Sequence, residues 1–547
     1  MVETGSITLK LVLLTVAFSV VLTALLSPAV VAVFRRQVTA SMNASASGAD
    51  DGVHSDPPKR FADAWSGSSC EPVLTDIEDA GDLVSAPATD RLTELADDKL
   101  RWIAAAYAAG GVVHAVLTTG FFLATFGVEY MRLAIALPVM LVFALPIVPT
   151  VSYVLTARPG ARFGWMVAGL VAALLLAGNA RGLMITVAKL HLLIPALVFL
   201  LFNLRFWRAI SPLILVAAAS GSLLWLLGLE LGRSLVGVDS PAIWLFRLVG
   251  FAVGISLAIP ALRWIGAMYR AKAIGDQELF LDTWWAVFTV TQTVTFMVRT
   301  ESSVMLISLV SFPAYWLTKR WVLRYTRVKR AEPAVPLLLL RVFGHARRTE
   351  KLLDEITLRW RCVGPIYLIS GADLALSHVS PHDFYSFMSG QLSRQFVKDD
   401  NDLKERLAAL DAMPDPDGRY RINQFFCHRD TWKQTLDGLV AKSAAVLMDL
   451  RGFDETKIGC QYELMRLGEH LGEKSIVLMV DRHTDRSLIG TLLRRGSAAG
   501  GPRAAEVRRQ AYFLAAETTS TRTLRMVTRL LLGAAPGSMA NRPATRA

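Results

Sequence analysis

Apolar residues come in two textures along this chain, and the change falls near residue 330. Before it, nearly uncharged runs occupy 11–34, 102–128, 133–155, 163–180, 183–204, 209–229, 242–267, 283–298 and 302–318. A bilayer core is crossed by about 20 apolar helical residues, so these nine runs predict nine spans. After it, the apolar runs shorten and alternate with helical periodicity. Strands are expected at 335–343, 365–369, 419–426, 445–450 and 475–480. Helices are expected at 348–361, 383–397, 402–412, 431–442, 460–471 and 486–494. Short buried runs joined by crossover helices are the pattern of a parallel sheet covered on both faces. The expected fold is a multi-spanning α-helical membrane region followed by an α/β domain with a parallel five-stranded sheet.

Composition agrees with a membrane protein: 53% of residues are hydrophobic and mean hydropathy is +0.40. The net charge of +12 reports topology before any nucleic-acid partner, and none is expected. Arg35 and Arg36, Arg158 and Arg162, Arg205 and Arg208, then Arg270 and Lys272 fall on alternate connections, and Lys319 to Arg330 join the same side. By the positive-inside rule that side is the cytoplasm. The protein is thus expected in the inner or plasma membrane, multi-pass, with a cytoplasmic carboxyl-terminal domain. The expected layout is an anchor at 1–36, an acidic and partly disordered linker at 37–100, and eight helices at 101–330. The α/β domain follows at 331–495, and a basic, partly helical and disordered tail at 496–547. His114, Lys189, His191, Arg247 and Arg263 are ionisable groups within runs, a feature of transport paths, yet no acidic partner shares their depth. Cys70, Cys362, Cys427 and Cys460 show no metal-ligand spacing.

The stretch 444–464, AAVLMDLRGFDETKIGCQYEL, is where chemistry concentrates. An apolar strand runs into a charged turn and then a helix in which Cys460, Glu463, Leu464 and Leu467 share one face. Glu463 is therefore a carboxylate turned toward the sheet, near the carboxyl end of a strand, where open α/β sheets bind ligands. Asp449 and Arg451 either reach a ligand or pair with each other across the turn. No GxGxxG or P-loop pattern follows any expected strand.

The Cys460-x-x-Glu463-Leu464 pattern after a buried strand resembles the TIR domain, over about 335–481. In that family a Trp-Cys-x-x-Glu-Leu motif opens the helix after the fourth strand, and its Glu is catalytic in members that cleave NAD. Gly459 stands where the family has Trp, and Asp449 where it has Ser. RVFG, at Arg341 to Gly344, matches the end of the first strand, and DPDGRYRI, at Asp415 to Ile422, the loop used for assembly. The resemblance implies a flavodoxin-like sheet, Glu463 as catalytic residue, and Asp449, Arg451 and Cys460 at the nucleotide. The expected partners are the bilayer, an NAD-type nucleotide and a second copy through the cytoplasmic domain, with no resident cofactor. Two other functions fit the same residues: a non-enzymatic nucleotide-sensing or assembly module on a membrane anchor, and a transporter or channel with a regulatory domain. A fluorescent protein fused after Ala547 should fluoresce in cells while alkaline phosphatase fused there stays inactive; the opposite pattern would invert the orientation.

Overall fold

The computed structural model describes residues 2–44, 73–77, 87–126, 133–156, 211–237, 240–300, 303–325, 334–342, 346–370, 392–471, 474–499 and 510–515. It also describes single residues between 164 and 171, at 387 and between 523 and 531. The amino-terminal half is helical. Among the described residues, four segments are long and apolar enough to cross a bilayer: Val21–Asn43, Glu94–Thr125, Ala136–Leu155 and Ile243–Arg270. Helices Ser211–Val236 and Asp276–Thr300 and the 3-10 turn Ser303–Val310 leading into Ser311–Tyr325 occupy three more expected spans. The spans expected at 163–180 and 183–204, with Lys189 and His191, lie almost wholly outside the described residues.

Aromatic side chains fill the bundle's centre, with Tyr107, Trp284, Trp285, Phe288 and Tyr315 all buried. His114 is a satisfied core residue there: its ring bonds Thr289 at 2.8 Å and Thr118 at 3.3 Å. Arg247 lies between the rings of Trp225 and Trp244, 4.6 Å from each. Glycine sets one helix contact: a Cβ on Gly250 would sit 2.1 Å from the Leu224 carbonyl oxygen, so only hydrogen there lets the two backbones meet.

The sheet has eight parallel strands in the order β1-β8-β7-β6-β2-β3-β5-β4. These are β1 (Val73–Ile77), β2 (Leu337–Arg341), β3 (Ile366–Ser370), β4 (Phe396–Val397), β5 (Ile422–Cys427), β6 (Ala445–Asp449), β7 (Ser475–Val480) and β8 (Gln510–Ala515). The five-stranded expectation is corrected: seven strands come from the carboxyl-terminal half and one from the acidic linker. The expected five fall at β2, β3, β5, β6 and β7. The order is corrected too. With the short β4 and the borrowed β1 set aside, the strands run 3-2-1-4-5-6 in chain order, the doubly wound arrangement rather than the flavodoxin-like 2-1-3-4-5. The chain reverses direction between β2 and β6.

The segment after Arg495 is part of this core. Helix Arg486–Ala499 extends four residues into the expected tail, β8 pairs with β7, and Val527 and Leu531 are buried beneath the sheet. The linker contributes β1, which pairs with β8 and covers that edge. The helix expected at 383–397 lies mostly outside the described residues; its end is a 3-10 turn at Leu392–Gln395 followed by β4.

Helix α1 (Val2–Asn43) is 42 residues long, about 63 Å at 1.5 Å per residue. It continues past Thr39, where disorder is expected. Val31, Phe34 and Val38 pack on Leu392, Phe396 and Phe426, so α1 runs down the β4–β5 side of the sheet. Helix α2 (Pro87–Phe126) meets the sheet with its first turns: Ala96 and Leu100 share a core with Leu337 and Ile366, and Lys99 donates to the Cys362 carbonyl at 2.9 Å.

The connection 269–282 joins the two halves. Arg361 pairs with Asp276 at 3.0 Å, and Arg421 pairs with Asp415 at 2.7 Å while donating to the Tyr269 carbonyl at 2.8 Å. Behind them Lys319 bridges Asp282 at 2.7 Å and Glu278 at 3.2 Å, fully buried. Burial and the neighbouring Asp276 and Asp417 push Asp415 up to about 8 although Arg421 opposes them. The DPDGRYRI loop, expected to mediate assembly, is thus buried against the protein's own membrane half. Breaking one partner of a buried pair strands the other, so Lys319→Met should destabilise by on the order of 3 kcal/mol. Thermal melting in detergent should show a clear drop, larger than for Thr318→Val beside it.

Candidate functional site

Glu463 lies in the second turn of helix Ile458–Glu469, whose buried face carries Cys460, Glu463, Leu464 and Leu467 as the periodicity predicts. The helix packs over the carboxyl ends of the strands. A cavity of about 250 Å³ opens there, lined by Met42, Ile369, Ser370, Cys427, His428, Arg429, Trp432, Gly459 and Glu463. Ile369 and Ser370 end β3, and Cys427 ends β5. Glu463 is 5% exposed, and its Oε2 has no hydrogen-bond partner among the described residues. Burial pushes its carboxyl up to about 8, against the pull of Arg341 at the end of β2. A buried polar atom without a protein partner is satisfied by an ordered water or by a ligand, so Oε2 beside a cavity is a candidate ligand contact.

The other three expected site residues are elsewhere. Asp449 and Arg451 form a buried two-point ion pair, Nη2 to Oδ2 at 2.7 Å and Nε to Oδ1 at 2.8 Å. The pair closes the turn after β6, and neither side chain lines the cavity. Cys460 is a core residue whose Sγ lies 3.8 Å from the Arg341 carbonyl oxygen. Glu463 lines the cavity and none of these three does.

Residues without a sequence signal complete the site. His428 donates from Nδ1 to the Ser41 carbonyl of α1 at 2.7 Å, since a carbonyl only accepts; in the neutral ring Nε2 is then the acceptor. Phe396 lies 5.0 Å from the same ring. Met42, one residue on from Ser41, forms part of the wall. A site on the sheet is thus closed by the carboxyl end of α1. Cys427 is not a nucleophile in waiting: burial pushes its thiol up to about 11, so the thiolate is scarce at neutral pH. At Gly459 an added Cβ would meet no atom within 4 Å, so packing leaves this position open at the cavity.

No known family, no curated protein and no solved structure matches the chain. The site must be read from its own geometry. Among the described residues, no three His, Cys, Asp or Glu side chains are placed to hold a metal ion.

The raised Glu463 carboxyl makes stability depend on pH. In the unfolded chain it ionises near its ordinary 4.5, in the folded one at about 8. Between those values the folded state holds the extra proton, so stability falls as pH rises through that window. Glu463→Gln removes the dependence. It should melt above the wild type at pH 8 and level with it at pH 4.5; parallel melting curves at both values would contradict a buried, unpaired carboxyl.

Proposed function

We propose that this is a multi-pass membrane protein whose cytoplasmic α/β domain binds a nicotinamide-type nucleotide and hydrolyses it through Glu463. The observation that carries the reading is the buried, unpartnered Glu463 carboxyl in a cavity at the carboxyl edge of a doubly wound parallel sheet. The Cys460-x-x-Glu463-Leu464 likeness to NAD-cleaving TIR domains supports the same residue. The cavity, at about 250 Å³, suits one nicotinamide ribosyl unit rather than a whole dinucleotide. The adenylate half would lie along the strand ends.

Chemically, the glycosidic C–N bond breaks, nicotinamide leaves and water adds to the ribosyl carbon. Positive charge develops on the sugar, and a desolvated carboxylate beside it stabilises that charge. The pyridinium of NAD is itself cationic. Its entry would favour ionised Glu463, so binding releases a proton and tightens as pH rises toward 8. His428, oriented by Ser41, is the acceptor for a water or ribose hydroxyl.

A second reading has its own observation: the His428 to Ser41 hydrogen bond ties the cavity to a candidate membrane span. On it, the domain senses the nucleotide and passes occupancy to α1 without turnover.

The full-length protein in detergent should consume NAD and release nicotinamide, with Glu463→Gln slower by about 100-fold or more. Saturable NAD binding without nicotinamide release would select the sensing reading. Absence of both would overturn the nucleotide assignment.

A further inference from the structure

A second cavity, about 960 Å³, lies where the last membrane helix leaves the bundle. Its walls include Lys272, Glu278, Trp316, Arg320, Trp321 and Arg324, and Pro416 of the α/β domain closes one side. The charges here do not cancel. Lys272 is paired with Asp411, and the buried Glu278 is held by Lys319 at 3.2 Å and by the Gly275 amide at 3.0 Å. Arg320 donates to the neutral Ala273 carbonyl, so its charge stays uncompensated. Arg324 is exposed and has no ion-pair or hydrogen-bond partner among the described residues. Among the described residues, two guanidinium groups one helical turn apart thus face one cavity with no carboxylate paired to either.

The surroundings select the kind of anion. Arg320 lies over the Trp316 ring at 4.3 Å. Trp321 is 60% exposed and Leu317 59%, and they continue the apolar surface formed by the exposed Val304, Ile307 and Val310. Uncharged surface on one side and paired arginines with tryptophan on the other is the profile of a bilayer boundary. Guanidinium groups bind phosphate oxygens in pairs of hydrogen bonds. A soluble phosphate compound would satisfy the arginines and leave Trp321 and Leu317 in water.

We infer that this cavity holds the headgroup of an anionic phospholipid from the cytoplasmic leaflet, its phosphate on Arg320 and Arg324 and its chains along Leu317 and Trp321. The inference rests on the membrane orientation proposed above and is independent of the nucleotide reading. Because Pro416 belongs to the buried 415–421 loop, the lipid would also touch the joint between the two halves.

The test uses full-length protein in a neutral detergent, titrated with phosphatidylglycerol or phosphatidylcholine while melting temperature is followed. Phosphatidylglycerol should raise the midpoint saturably, with native mass spectrometry showing retained lipid, and phosphatidylcholine should not. Arg324→Gln, at an exposed position where folding is not at stake, should weaken the half-saturation about tenfold. Arg320→Gln with Arg324→Gln should remove it, while Arg482→Gln changes nothing. Equal effects of the two lipids, the same shift from glycerol 3-phosphate alone, or an Arg324→Gln titration identical to wild type would each overturn the proposal.

Discussion

Charges buried between the membrane helices and the sheet hold the two halves in one arrangement. Arg361 on Asp276 and Lys272 on Asp411 pair across the two halves, and Arg421, held by Asp415 six residues away, donates across to the Tyr269 carbonyl, while Lys319 on Asp282 and Glu278 braces the helical side from within. Such pairs add modest stability compared with an apolar interface, yet they tolerate few alternatives, because sliding the surfaces strands a charge. The seam meets the amino ends of β2, β3 and β5, through 335, 361–365 and 419–421. The carboxyl ends therefore face away from the bundle.

That placement explains why α1 matters to the site. The short connections between halves reach only the near edge of the sheet, whereas a 42-residue helix can pass from the bundle to the far one. Its last turn brings Ser41 and Met42 to the cavity, where one orients His428 and the other supplies wall. The same geometry shapes the sheet's ends: α1 covers the β4–β5 side, and β1 pairs with β8 and becomes the outermost strand at the other end.

Legibility in the sequence followed the range of the forces. Strands β6 and β7 were plain because Ala445–Asp449 and Ser475–Val480 are apolar and buried on both faces. Helix Ile458–Glu469 was plain because a four-residue period exposes its inner face, and Glu463 came with it. β1 was hidden among acidic residues, β4 is two residues long, and β8 sits between arginines and helix-forming alanines. Asp449 and Arg451 illustrate a local ambiguity: two charges two residues apart can point at a ligand or at each other, and only the turn geometry decides. Arg341, Ser370, His428 and Met42 come together through tertiary contacts alone, so no spacing announces them.

A continuous helix also behaves as a ruler. Moving α1 along its axis by one residue's rise, about 1.5 Å, would lengthen the Ser41 to His428 contact from 2.7 Å by as much as that amount, beyond hydrogen-bonding range. Changes in bilayer thickness shift or tilt membrane helices on this scale. On the proposed membrane placement, the hydrogen bond that orients His428 would thereby be coupled to how deeply one helix sits in lipid, and the thickness of the membrane would become a variable of the site.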